Sequence, residues 1–238
     1  MIDVEERGGV QVVRMEHGKV NALDLELLHA ITTTFTELDE SDARAIVLTG
    51  AGRAFSAGVD LWRMIDGGAG YVRKFLPALD AAFLAVFAVG KPVVAAVNGH
   101  AIAGGAIFAA ACDQRVMSAG TIGVTELLVG VPFPATALHI LSYAMGRREA
   151  QQAVLTGRTL TPQDALAAGH IDEIGAMAAA IERATALAEI PPDTFRLTKA
   201  QLHETTRHQP DEDVEKLWIR AVEDGRIERY LTRTVRRS

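Results

Sequence analysis

The sequence predicts a layered α/β domain followed by a helical C-terminal region, and three observations carry that reading. Over residues 1–120, short apolar runs alternate with stretches whose apolar residues recur at helical spacing, as in strands covered by helices. From Thr136 onward the signals are almost entirely helical. Aromatic residues make up only 5% of the 238 residues while Ala is abundant, which favours closely packed helices over an all-β core.

Taken in order, Val10-Gln11-Val12-Val13-Arg14-Met15 is a β-rich run ended by His17-Gly18. Asn21-Ala22-Leu23-Asp24 reads as a helix entry, because Leu23, Leu27, Leu28, Ile31, Phe35 and Leu38 then recur at helical spacing. Residues 45–49 form an unbroken apolar run closed by Gly50, the mark of a strand buried on both faces. Residues 71–89 read as a long helix, residues 92–97 as a second buried strand, 104–112 as a short apolar helix and 115–117 as a further strand. Thr161-Pro162 is an N-cap with Pro at the first helical position, and Gly169 is its C-cap. Pro191-Pro192 breaks the next helix, and residues 213–237 form a charged amphipathic stretch. No internal repeat or low-complexity linker interrupts the chain. The expected organisation is a core over 1–190 and a helical region over 191–238.

Composition excludes several classes. The chain is long enough to bury a full core, and 49% hydrophobic against 23% charged residues is ordinary globular usage. A net charge of −6 argues against nucleic acid as a partner, since the only basic cluster is Arg226, Arg229, Arg233, Arg236 and Arg237. The single cysteine, Cys112, excludes a disulfide framework and a Cys-rich zinc site. The acidic N-terminus does not resemble a secretory signal, and apolar runs fall short of a membrane span, so a cytoplasmic location is expected. The histidines 17, 29, 139, 170, 203 and 208 have no metal-ligand spacing, so no metal is expected.

Gly50-Ala51-Gly52-Arg53-Ala54-Phe55 half-matches a dinucleotide fingerprint. Phe55 stands where the third glycine is needed, Ser56, Gly58 and Asp60 interrupt any helix after it, and no acidic residue closes a second strand. A phosphate-binding P-loop is also absent.

Two other glycine-bearing turns stand at the C-terminal ends of apolar strands, the edge where α/β sheets gather ligands. They are Phe55-Ser56-Ala57-Gly58-Val59-Asp60-Leu61 and Asn98-Gly99-His100-Ala101-Ile102-Ala103-Gly104-Gly105. Small residues there let a ligand reach backbone N–H groups, and Gly104 opens a helix whose dipole adds positive potential. Two such donors aimed at one point make an oxyanion hole. Ordinary packing turns would have the same composition, so spacing alone leaves both readings open.

These two turns, with Cys112-Asp113-Gln114-Arg115 behind them, resemble the crotonase (enoyl-CoA hydratase/isomerase) superfamily. Asn21-Ala22-Leu23 is similar to its N-terminal signature, and Gly157-Arg158-Thr159-Leu160-Thr161-Pro162-Gln163-Asp164-Ala165 with Gly169 to its helix–turn region. The resemblance implies a spiral of ββα units with a helical C-terminal region that trimerises, giving a homotrimer or a dimer of trimers. It implies an acyl-CoA substrate, no separate cofactor, and Val59 and Gly104 as the oxyanion N–H donors. Substrate-binding positions carried over are Lys19, Val20, Ala57, Gly58, Asp60, Leu61, Ile107, Thr125 and Pro134, with Lys19 and Val20 toward the adenine and phosphates.

Hydratases of this superfamily hold a water between two glutamates. The first falls at Ile107 here, which cannot ionise; the second matches Glu126 in Ile122-Gly123-Val124-Thr125-Glu126-Leu127-Leu128-Val129-Gly130. That pattern is most similar to the Δ3,Δ2-enoyl-CoA isomerases, as is the segment 190–200. The implied activity is a shift of the double bond of a 3-enoyl-CoA to the 2-position, with Glu126 as base in fatty-acid β-oxidation. The alternatives are a one-carboxylate 2-enoyl-CoA hydratase and a non-catalytic acyl-CoA-binding protein. A base of this kind works best with a pKa raised by apolar surroundings, expected from Leu127, Leu128, Val129, Ile107 and Phe133. Ala103, Val59 and Pro132-Phe133-Pro134 depart from the superfamily pattern at the second turn, the first turn and after the base.

Other residues read more plainly. His100 is expected to bond turn backbone, Asp60 to hold the first turn, Asp113 and Arg115 to form a structural pair, and Cys112 to be inert core. Ser56 lacks a nucleophile-elbow context. Tyr71, Phe75 and Leu79 share one helix face, suited to covering an acyl tunnel or to packing.

Overall fold

The computed structural model describes residues 1–203 and 212–234. β1 (Ile2–Arg7) and β2 (Val10–Met15) form an antiparallel hairpin turned by Gly8 and Gly9, both at positive φ, as tight hairpin turns require. β1 is not legible in the sequence: its side chains are almost all exposed and mostly charged, a composition that protects a sheet edge from adventitious pairing. α1 (Leu25–Glu40) starts where expected, with the Asp24 carboxylate accepting from Leu27 N–H and Leu27, Leu28, Ile31, Phe35 and Leu38 forming its buried stripe.

Three ββα units come next. They are β3 (Ala45–Gly50), β4 (Ala54–Ser56) and α2 (Leu61–Ala88); β5 (Val93–Val97), β6 (His100–Ile102) and α3 (Gly104–Ala111); and β7 (Gln114–Met117), β8 (Ile122–Gly123) and α4 (Glu126–Val129). The chain continues through α5 (Ala135–Met145), α6 (Arg147–Thr156), β9 (Thr159–Leu160), α7 (Pro162–Ala168), β10 (Glu173–Ile174) and α8 (Met177–Ala188). It closes with α9 (Pro192–His203), α10 (Glu212–Glu223) and α11 (Arg226–Thr234). The first strand of each unit joins a six-stranded sheet ordered β1-β2-β3-β5-β7-β10, and the second joins a four-stranded sheet ordered β4-β6-β8-β9. Each unit therefore advances both sheets by one parallel strand, which is a spiral.

The inner strands are buried on both faces. Val13, Met15, Ile46, Leu48, Val93, Ala95 and Val97 face the large core with α1, α2 and α3. Their neighbours Val12, Ala45, Val47, Val94 and Ala96 face Ala180 and Ala184 of α8. This explains the unbroken apolar runs: alternate residues serve different layers.

The fold corrects four expectations. The helix expected from residue 71 begins at Leu61; Gly68 (φ 56°, ψ −155°) breaks it, and the glycines at 67, 68 and 70 lower helix propensity enough to hide its first turns. The stretch from 213 is two helices, parted at Asp224-Gly225 where Gly225 takes φ 73°; Arg236, Arg237 and His208 lie outside the described residues. Two short strands, β9 and β10, interrupt the helical C-terminal half, because the sheets still have edges to pair there. Asp113 and Arg115 are not partners. Arg115 pairs with Asp172 at 2.9 Å, whereas Asp113 pairs with the buried Lys199 of α9 at 2.8 Å and also accepts from Val93 N–H. Each finds its own partner far along the chain, because side-chain direction on and beside a strand, not sequence spacing, decides what can meet. No helix among the described residues is long and apolar enough to cross a membrane.

Candidate active site

The two glycine turns meet. Gly58 takes φ 79°, and a Cβ on it would stand 2.6 Å from Ile102 O, 2.8 Å from Ala103 Cβ and 3.2 Å from Gly104 N. Only glycine satisfies both the conformation and the contact. Around this junction the first turn is fixed from outside: Asn21 Nδ2 donates to Ala54 O and Phe55 O at 3.1 and 3.2 Å, Ala57 N–H donates to Val20 O, and Ser56 Oγ donates to Asn21 O. Ser56 is thus a buried structural hydroxyl. Asp60 caps α2, one carboxylate oxygen accepting from Trp62 N–H and Arg63 N–H at 3.1 Å each, as expected of it.

The backbone N–H groups at the junction are oriented by their neighbours. Leu23 N–H donates to Gly58 O and Asp60 N–H donates to Leu23 O, so Val59 pairs with Leu23 as a parallel bridge and turns its own N–H to the opposite side. Neither Val59 N–H nor Gly104 N–H has an acceptor among the described residues. Ala103, before Gly104, takes φ 52° and ψ −124°, an unusual backbone for a non-glycine residue.

A cleft of about 330 Å³ opens at this junction. The first turn contributes Ala57, Val59, Asp60, Leu61 and Trp62, with Ala22 beside it; the second contributes Ile102 and Ala103. Thr125, Glu126, Val129 and Val131 form a further wall, and the C-terminal helices close it with Trp218, Tyr230 and Leu231. Glu126 opens the single-turn α4 and is only 7% exposed. Its Oε2 is buried with no hydrogen-bond partner, and burial pushes its carboxyl up to about 7, since a low dielectric disfavours the anion.

The sequence-derived positions divide. Val59, Ala57, Asp60, Leu61, Thr125 and Glu126 line the cleft, while Gly58 and Gly104 lie in the junction behind it. Lys19 and Val20 are exposed on the turn that supports the first loop. Ile107 is fully buried core and Pro134 is the buried N-cap of α5, so neither lines the cleft. Leu127 and Leu128 are 41% and 52% exposed; of the residues expected to give Glu126 an apolar setting, Val129 lines the cleft with it, joined by Val131 and by Trp218, Tyr230 and Leu231 of the C-terminal helices. Successive residues of a helix are turned about 100° apart, so Leu127 and Leu128 point about 100° and 200° away from Glu126. His100 is exposed, and its Nδ1 accepts from Thr121 N–H at 3.2 Å, as expected of it, and lies 3.0 Å from the Thr121 hydroxyl. Cys112 is buried, its thiol pushed up to about 12 by burial. Tyr71 stacks on Phe75 and its hydroxyl accepts from Leu25 N–H; with Phe75 and Leu79 it packs and does not line the cleft. Trp62, Trp218, Tyr230 and Leu231 are cleft residues that sequence reasoning missed; the available signal was a tryptophan set in a charged amphipathic helix.

A family model described as enoyl-CoA hydratase/isomerase matches residues 5–221. The chain belongs to the enoyl-CoA hydratase/isomerase family. Among relatives of this family, a putative enoyl-CoA hydratase of Thermus thermophilus is 38% identical over 212 residues, covering 85% of this chain and 83% of that protein. The mitochondrial enoyl-CoA delta isomerase 1 of Mus musculus is 31% identical over 179 residues, covering 73% of this chain and 62% of that protein. The crystal structure of human mitochondrial delta3-delta2-enoyl-CoA isomerase superposes with a TM-score of 0.84 at 26% identity, covering 98% of this chain and 95% of that one. The spiral of ββα units is the crotonase-like fold of the enoyl-CoA hydratase/isomerase family, whose members carry both hydratase and isomerase names.

Proposed function

We propose that this family member isomerises 3-enoyl-CoA to 2-enoyl-CoA, with Glu126 as the single acid–base group. The observation that carries the reading is the inequality of the two carboxylates in the cleft. Asp60 is committed to capping α2, whereas Glu126 is buried, has an oxygen with no partner and is held near pKa 7, the range in which a carboxylate can both take and return a proton at neutral pH. Glu126 removes a C2 proton from the 3-enoyl thioester, and the electron pair moves into the thioester carbonyl to give a dienolate. Val59 N–H and Gly104 N–H act as the oxyanion hole that holds the developing charge. The Glu126 carboxylic acid then returns the proton at C4 as the oxyanion collapses, leaving the conjugated product. The thioester supplies its own activation, so the reaction calls for no further cofactor. The apolar walls suit a fatty acyl chain, and hence a place in β-oxidation. Assembly as a homotrimer or dimer of trimers is part of the same proposal.

Hydration of a 2-enoyl-CoA is the second reading, favoured by the name of the Thermus thermophilus relative. The position carried over for a second water-holding carboxylate, Ile107, is sealed in the core, so hydration would rest on Glu126 alone. The test is chromatographic analysis of products from 3-enoyl-CoA and from 2-enoyl-CoA, for the wild type and Glu126→Gln. Isomerisation lost by about 10²–10⁴-fold in the variant supports the proposal. Glu126-dependent 3-hydroxyacyl-CoA as the sole product would overturn it in favour of the hydratase, and saturable binding without turnover in favour of an acyl-CoA carrier.

A further inference from the structure

The segment after Glu126 is held by two side chains from the far end of the chain. α4 is a single turn of four residues, too short to persist alone, and residues 130–132 stabilise it. Glu126 O accepts from both Gly130 N–H and Val131 N–H at 3.1 and 3.2 Å, so the backbone of Glu126 moves with that segment. Pro132 has no N–H with which to anchor it. It is anchored through its carbonyls instead: Trp218 Nε1 of α10 donates to Pro132 O at 3.0 Å, and Arg226 Nη1 of α11 donates to Gly130 O at 3.0 Å. Trp218 is 1% exposed and also walls the cleft. Gly130 packs on the Arg226 stem, a Cβ there standing 3.3 Å from Arg226 Cδ.

We infer that Trp218 and Arg226 are positioning residues for Glu126: through the Pro132 and Gly130 carbonyls they set where its carboxylate stands against the two glycine turns. The inference rests on Glu126 being the base. Positioning acts on the chemical step, since a misplacement near 1 Å costs about 10²-fold in rate, whereas loss of a packing wall alone would weaken substrate binding. The experiment measures kcat and KM on 3-enoyl-CoA for the full chain carrying Trp218→Phe, Arg226→Met, Arg226→Lys, the Phe/Met double substitution and Glu126→Gln, with thermal unfolding of each. Expected are kcat losses of about 10-fold for each single change at Trp218→Phe and Arg226→Met, about 10²-fold together, KM within about 3-fold of wild type, and recovery toward wild type with Arg226→Lys, which keeps a donor. Folded variants with unchanged kcat, a loss carried by KM alone, or no advantage of Lys over Met at 226 overturn the inference while leaving the base intact. Arg226, whose side chain is 32% exposed, keeps the test open if Trp218→Phe fails to fold. Retention of activity by Glu126→Gln would remove the base itself, and the inference with it.

Discussion

Gly58 faces Gly104 closely enough that a Cβ on Gly58 would stand 3.2 Å from the Gly104 nitrogen. Two turns from different ββα units thus share one junction, and the proposed oxyanion donors depend on both.

Gly58→Ala therefore combines an unfavourable φ of 79° with a Cβ placed 2.6 Å from Ile102 O. The turns must separate, and the loss of one aligned donor costs about 10²–10³-fold in kcat. Steady-state kinetics on 3-enoyl-CoA checks it; a variant within about 3-fold of wild type would show that the junction does not shape the site.

The raised Glu126 pKa predicts two pH effects. kcat/KM should rise with pH through an apparent pKa near 7 as the base ionises. Stability should run the other way. The folded chain binds more protons than the unfolded one between the ordinary carboxyl value of 4.5 and about 7, so this group's contribution is fully present below that window and declines as pH rises through it. Glu126→Gln removes the penalty, so at pH 8 the variant should unfold later than wild type, by roughly 1–3 kcal/mol, with no advantage at about pH 4, below the window. Equal melting temperatures at about pH 8, above the window, would contradict the burial of an ionisable carboxyl.

Lys199 ties α9 to the core by its bond to Asp113 and is 4% exposed. Lys199→Met leaves the Asp113 carboxylate without its cation and should cost about 3–5 kcal/mol of stability. kcat of the folded protein should be unchanged, because neither residue lines the cleft. Urea unfolding and kinetics on the same sample separate the two.

Asn21 holds the first turn by bonds to Ala54 O and Phe55 O while itself adopting φ 50°. Asn21→Ala loses those bonds and keeps the strain, so both stability, by about 2–3 kcal/mol, and kcat should fall. Asn21→Gly loses the same bonds but relieves the strain, and should be the more stable of the two variants. The reverse order in thermal unfolding would show that the backbone strain at 21 is unimportant.

The chain by itself determined the elements whose causes are local. Apolar runs at 45–49 and 92–97 became strands buried on both faces, the Asp24 and Thr161 caps opened helices, and the two glycine turns were placed at strand ends, since burial periodicity and capping act within a few residues. Glu126 as a candidate base was legible only through resemblance, because one glutamate in a loop has no local mark of function. The tertiary structure decided what depends on distant neighbours. Lys199, rather than Arg115, is the partner of Asp113, 86 residues earlier in the chain, because an ion pair is set by proximity in space. Leu127 and Leu128 turned outward, and the apolar residues that share the cleft with the buried Glu126 are Val129, Val131 and residues of the C-terminal helices. A carboxyl's pKa depends on the dielectric of everything packed around it, and that packing exists only once Trp218, Tyr230 and Leu231 have folded back over the cleft.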